Sequence, residues 1–142
     1  MKILITGGTT FVSRYAAEHF VSKGNEVFVL NRNSRPQSQG VHLINCDRLN
    51  LGNKFADEHF DLILDITAYT DEHIKALLKS GISFDDYIFI SSSAVYPETN
   101  PQPFAENQTC GKNSVWGDYG INKLNAEKYL LDTVQNAYIL RP

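Results

Sequence analysis

A doubly wound parallel α/β sheet is the fold class this sequence predicts. Apolar runs alternate with stretches of helical period along the whole chain. The runs are uniformly apolar, as in strands buried on both faces, and the first passes through a glycine turn straight into a helix. Right-handed crossovers then favour strand order 3-2-1-4-5-6, with ligands at the carboxyl edge where the order reverses. Each strand end is therefore a place to look for chemistry.

The elements follow in order. Residues 2–5 (KILI) are large and apolar and stop at Gly7 and Gly8, which reads as a short buried strand. From Phe11 the apolar residues Val12, Tyr15, Ala16 and Phe20 recur at helical period, closing at Lys23 and Gly24. EVFVL (26–30) is the second strand, followed by a polar loop with Arg and Pro over 31–40. VHLIN (41–45), a short amphipathic segment near 52–59 and DLILDI (61–66) come next. A helical pattern over 71–79 closes at Gly81, and YIFIS (87–91) is another buried strand. The stretch 97–118, rich in Pro, Asn and Gln, is longer than most structureless connections, which marks it as functional or disordered. A last helix (118–135) and the strand AYILR (137–141) complete one domain over 1–142, with no internal repeat.

Composition narrows the function classes. With 42% hydrophobic and 20% charged residues the chain reads as a soluble globular protein. It has no run of about 18 apolar residues and no basic-then-apolar leader, so no membrane span is expected and the cytoplasm is the default location. A formal charge of −3 argues against nucleic acid as the main partner. Cys46 and Cys110 read as free thiols rather than a disulfide, and His19, His42, His59 and His73 show no metal-ligand spacing, so no metal site is expected.

Chemistry gathers at the strand ends. A strand leading through glycines into a helix aims unpaired N–H groups and a positive dipole end at one point, a seat for pyrophosphate. Gly7, Gly8, Thr9, Thr10, Phe11 and Val12 are the candidate seat. At the end of the second strand Asn31 stands where a carboxylate would accept from a ribose 2′-hydroxyl, and Arg32 and Arg35 follow. Without that carboxylate, and with guanidinium groups near, a 2′-phosphate is favoured, so the cofactor expected is NADP or NAD with NADP preferred. Further along, Tyr119 and Lys123 in YGINK lie four residues apart on one helix face, and a neighbouring cation favours phenolate over phenol, which suits acid–base work. FISSSAVYP places hydroxyl groups at a strand end, where one can stabilise charge on a substrate oxygen.

Taken in chain order, these parts resemble the extended short-chain dehydrogenases, the NAD(P)-dependent sugar-nucleotide epimerases and dehydratases with a Rossmann fold. TGGTTFVS is similar to their T-G-x-x-G-x-x-G turn, with Thr10 and Ser13 on the second and third glycines. Thr10 adds a side chain that crowds pyrophosphate or donates to it, and Ser13 is small enough for helix-to-strand packing. SSSAVY is similar to S-[ST]-x-x-V-Y, which puts the catalytic hydroxyl on Ser92, with Ser91 and Ser93 as alternatives, and YILRP resembles the sixth strand with Arg141 and Pro142 in the R-P position.

The resemblance implies roles. Tyr119 would be the acid/base, Lys123 would tune it and hold the nicotinamide ribose, and Ser92 would polarise the substrate oxygen of a nucleotide sugar. Asp47 would meet the adenine with Arg48 beside it, and Thr67, Ala68 and Ser91 would line the cofactor. The segment DITAYT departs from the family's His-Ala-Ala type and leans toward a divergent branch that includes relatives of chloroplast stem-loop binding proteins. Family members run to about twice this length, so a chain truncated before the substrate lobe is expected, binding cofactor with little turnover. Pairing of two copies through helices including the Y-x-x-x-K one is also implied. A non-catalytic NAD(P) sensor and an RNA-binding relative stay open as alternatives.

Overall fold

The apolar run after Met1 forms strand β1 (Lys2–Thr6), with Ile3, Leu4 and Ile5 fully buried in a computed structural model that describes residues 1–142. Helix α1 (Phe11–Ser22), strand β2 (Glu26–Asn31), strand β3 (Val41–Asn45) and a 3-10 turn at Arg48–Asn50 follow. Then come β4 (His59–Asp65), α2 (Asp71–Leu78), β5 (Ser83–Ile90), a 3-10 turn at Ser93–Val95, α3 (Asp118–Thr133) and β6 (Ala137–Leu140). All neighbouring strands are parallel and the order is β3-β2-β1-β4-β5-β6, the doubly wound arrangement expected. The order reverses between β1 and β4, so their carboxyl ends open a crevice.

The period of two along each strand divides the core into two layers. Leu4, Ile63, Tyr87 and Phe89 point to the side covered by α2 and α3, where they meet Ile74, Leu77, Ala126 and Leu130. Ile3, Ile5, Val27, Val29, Leu62 and Leu64 point to the α1 side and pack on Ala17. Each such fully buried aliphatic side chain contributes about 1.5–3 kcal/mol. The α1 side is covered unevenly. Over β5 and β6 it presents half-buried Ile88 and Ile90, with Tyr138 and Leu140 beside them at 54% and 52% exposure.

Some expectations change. The amphipathic segment near 52–59 is a series of turns, because Gly52 takes φ +54° and the bonds Lys54→Leu51, Ala56→Asn53 and Glu58→Phe55 close single turns that do not propagate. Phe55, 1% exposed, still anchors this segment in the core. Strand β5 begins at Ser83, four residues before its apolar run, since Asp85 and Asp86 sit at the solvated amino end. The stretch after Tyr96 is irregular but tied down: Asn113 Nδ2 donates to Tyr96 O at 2.8 Å, Gly111 N to Val95 O at 2.9 Å, and Phe104 stacks on Tyr96 at 5.1 Å.

Candidate active site

The glycine turn is built for close approach. Gly7 and Gly8 take φ +99° and +92°, and a Cβ on Gly8 would fall 2.5 Å from Val29 Cγ1, so the turn rests directly on β2. Thr10 is the extended N-cap of α1, but its side chain makes no capping bond. The N–H groups of Thr10, Phe11, Val12 and Ser13 accordingly find no protein acceptor, the condition in which a helix start binds an anion. Phe11, at φ +39°, is held in a conformation that disfavours a bulky residue, and its ring is 91% exposed. Ser13 fits the third glycine position because it is small and its hydroxyl donates to Thr10 O at 2.8 Å, leaving no buried orphan.

A cleft of about 400 Å³ opens at the crevice, lined by Gly7, Thr9, Thr10, Asn31, Arg32, Asp47, Arg48 and Thr67 from the expected set. Gly8, Phe11, Val12, Arg35, Ala68, Ser91, Ser92, Tyr119 and Lys123 lie outside its lining. Ser34, Tyr69 and His73 line it without any sequence signal of their own. Asn31 is engaged internally: its Nδ2 donates to Gly7 O at 2.6 Å and to Gln37 Oε1 at 3.0 Å, locking the end of β2 to the glycine turn. Asp47 caps the 3-10 turn, accepting from Leu49 N at 2.9 Å. The donors of this cleft, the free N–H groups beginning at Thr10 and the exposed Arg32, suit the acceptor oxygens of a phosphate-bearing cofactor.

Beneath the cleft lies a buried polar knot that the sequence did not announce. Asp65, 0% exposed, accepts from Arg48 Nη1 and Nη2 at 2.9 and 2.8 Å, Thr6 Oγ1 at 2.7 Å, Tyr87 OH at 2.5 Å and Ala68 N at 3.1 Å. Burial pushes the Asp65 carboxyl up, but Arg48, with Tyr87 and Thr6, outweighs it and holds the group at about 2. Arg48 Nη2 also donates to His73 O at 2.9 Å, tying the start of α2 to the knot. Burial, with Arg48 nearby, holds the His73 imidazole below its usual range, and its Nδ1 accepts from Tyr69 N at 3.0 Å.

The Tyr–Lys face of α3 adjoins this knot. Lys123 is 2% exposed, and its Nζ donates to Ala68 O at 2.7 Å and Ile90 O at 2.8 Å, with the Phe89 and Tyr119 ring centroids at 4.7 and 5.9 Å. Burial pushes its ammonium down to about 8, opposed in part by Asp65. Ala68 thus acts from behind the cleft, through its carbonyl. A Cβ on Gly120 would lie 2.1 Å from Ala94 O, so only glycine lets α3 rest on the Ser93–Val95 turn. This contact sets the serine turn against the first turn of α3, the turn that also carries Tyr119. Ser92 caps that turn by accepting from Ala94 N at 3.2 Å, whereas Ser91 Oγ is buried without a partner. Arg141 grips Glu127 of α3 through two bonds of 3.0 and 2.6 Å and donates to Tyr96 OH at 2.6 Å, fastening the helix to the end of β6.

Elsewhere, Cys46 and Cys110 are free thiols. His59, Asp61 and Asp85 bring ligand atoms within 4.8 Å of one another at the amino edge of the sheet, a grouping that strand pairing creates and spacing conceals. His59 and Asp85 are exposed and 3.4 Å apart. No helix is long and apolar enough to cross a membrane.

Comparison with known proteins agrees with this architecture. The chloroplast stem-loop binding protein of 41 kDa b from Arabidopsis thaliana is 26% identical over 160 aligned residues, covering 99% of this chain and 41% of that protein. A UDP-glucose 4-epimerase structure superposes with a TM-score of 0.80 at 21% identity, over 96% of this chain and 49% of the other. The UDP-glucuronic acid 4-epimerase of Bacillus cereus, in complex with UDP-glucuronic acid and NAD, gives a TM-score of 0.78 at 21% identity, over 99% and 56%. The chain therefore spans about half the length of these solved structures. Residues 3–73, half of the chain and the part that builds the glycine turn, the crevice and Asp65, match a family directly. On that match, with the sheet order and the turn that support it, this chain belongs to the NAD dependent epimerase/dehydratase family.

Proposed function

We propose that this chain is the cofactor-binding portion of an epimerase or dehydratase that oxidises a hydroxyl of a nucleotide sugar, with NADP preferred to NAD. The observation that carries the proposal is the run of acceptor-free N–H groups from Thr10 to Ser13, which begins at a cleft lined by both Thr10 and Arg32. Pyrophosphate satisfies those donors, and Arg32 offers a 2′-phosphate charge-assisted hydrogen bonds. Asn31, neutral and tied to Gly7 O, neither repels that phosphate nor competes for it.

Bound nicotinamide supplies the hydride acceptor and, later, the donor. The chain's own residues do the rest. Tyr119, reacting as the phenolate, removes the hydroxyl proton and becomes the neutral phenol, and the Lys123 ammonium lies beside the ring that carries the negative charge before the transfer. Two of the three Lys123 donors hold Ala68 O and Ile90 O, which fixes the ammonium and leaves one donor for a ribose hydroxyl. Ser92, on the turn against which Gly120 packs, orients the reacting oxygen. The formal charge of −3 disfavours carrying stem-loop binding over from the chloroplast relative.

Titration with NADPH and NADH, followed by cofactor fluorescence, tests the proposal. NADPH is expected to bind more tightly, with the preference lost in Arg32→Ala. Binding of neither rejects the proposal, and equal affinity for both rejects the NADP preference alone.

A further inference from the structure

The carboxyl edge carries a row of aromatic rings in which Tyr119 is the middle member. Its ring centroid lies 6.2 Å from that of Tyr69 and 6.4 Å from that of Trp116. Tyr69 lines the cofactor cleft, whereas Trp116 lies outside its lining. Trp116 is 60% exposed, and its indole N–H meets no acceptor in the protein. A free ring of this size on a loop would usually be loosely held, yet this loop is fastened.

The fastening is Asn113. Only 4% exposed, it accepts from Val115 N at 3.0 Å and Trp116 N at 3.1 Å through Oδ1, while its Nδ2 donates to Tyr96 O. Gly117 N returns to Asn113 O at 3.1 Å, and Tyr119 N donates to Trp116 O at 3.2 Å, linking the indole's backbone to the start of α3. A buried amide, a closed turn and a helix start thus hold one exposed indole at a set place beside the proposed acid/base. Packing within the chain does not require this, since the ring is mostly in solvent.

We infer that Trp116 is the platform for the hexose ring of the substrate, taking the C–H face of the sugar against the indole while Tyr119 addresses the reacting hydroxyl. This rests on the function proposed above and adds to it the residue that reads the sugar rather than the nucleotide. An aromatic face with a polar edge suits a pyranose, which offers an apolar C–H face and hydroxyl groups around its rim. UDP alone, lacking that ring, gains nothing from Trp116.

Calorimetric titration of the NADPH-saturated chain with UDP-glucose and with UDP separates the sugar's contribution from the nucleotide's. UDP-glucose is expected to bind more tightly than UDP. Trp116→Ala should weaken UDP-glucose about tenfold and leave UDP within about twofold, and Trp116→Phe should stay within about threefold of the parent for both. As the only tryptophan in the chain, Trp116 also gives a direct signal, with its emission changing on addition of UDP-glucose and not of glucose-free UDP. Unchanged NADPH affinity in Trp116→Ala shows that the variant is folded. UDP-glucose binding equally well to parent and Trp116→Ala, binding no better than UDP, or not binding the cofactor-loaded chain at all overturns the inference. Failure of NADPH and NADH to bind the parent instead overturns the function on which it rests, and this inference with it.

Discussion

Arg48, its side chain 11% exposed, and Lys123, 2% exposed, are two largely enclosed cations that both hydrogen-bond to the segment 65–68, and their surroundings differ in one respect. Arg48 faces a carboxylate: Asp65 takes two of its donors, and the pair, completed by Thr6 and Tyr87, neutralises itself. Lys123 has no carboxylate within ion-pair distance and is held by two backbone carbonyls and aromatic faces. Burial works against the Arg48 charge, and Asp65 more than offsets it, so the guanidinium titrates above its ordinary value. At Lys123 burial prevails. A buried cation with a full partner braces the fold, whereas one with only dipoles around it keeps a titratable charge available for chemistry.

The strongest way to break the contrast is to leave Arg48 like Lys123, without a carboxylate. Asp65→Ala is expected to lower the unfolding free energy by about 3–5 kcal/mol in urea denaturation, because the remaining guanidinium is buried and unpaired. A loss below about 1 kcal/mol would mean that the knot does not brace the sheet.

A pH series sharpens the comparison next. The folded value of Lys123 lies below its unfolded 10.5, so the unfolded chain binds more protons between about 8 and 10.5. Stability contributed by this residue therefore rises with pH through that window, by about 3 kcal/mol in total, and the rise should be missing in Lys123→Met. The sign is the same at the acid end for Asp65, whose contribution is complete above 3.8 and fades as pH falls toward 2.

Gly120→Ala should move one cation and leave the other. The added Cβ meets Ala94 O, forcing α3 off the serine turn at a cost of about 1–3 kcal/mol, with NMR signals of Lys123 shifting and those of Arg48 unmoved. Equal shifts at both would show that the two sites form one unit. The smallest effect is expected at His73. Its lowered value means that it stabilises the fold above pH 6.5 and that this support disappears as pH falls through the folded value. Thermal melts at pH 7 and pH 5 should differ slightly more for the parent than for His73→Phe, which does not titrate.

Much of the site's outline was legible because it depends on local rules. Gly7 and Gly8 before a helical period announce a turn, and Tyr119 and Lys123 share a face through helix geometry alone. The knot was not legible. Asp65 closes an apolar strand and looks like a strand terminus, while Arg48 looks like a loop residue; only the pairing of β1 with β4, and the turn after β3, bring Arg48, Thr6 and Asp65 together. Gly120 carried no signal either, since a helical glycine reveals a close approach only when the neighbouring backbone is in place.

Periodicity and turn chemistry along the chain thus determined the alternation of strands and helices, the parallel sheet and the glycine seat, because each depends on residues within a few positions of one another. Which charge is neutralised, which carbonyls hold Lys123, and that an exposed indole stands beside Tyr119 were decided by the tertiary structure. These depend on contacts between segments up to 59 residues apart, and burial in a medium of low polarity gives such contacts their strength.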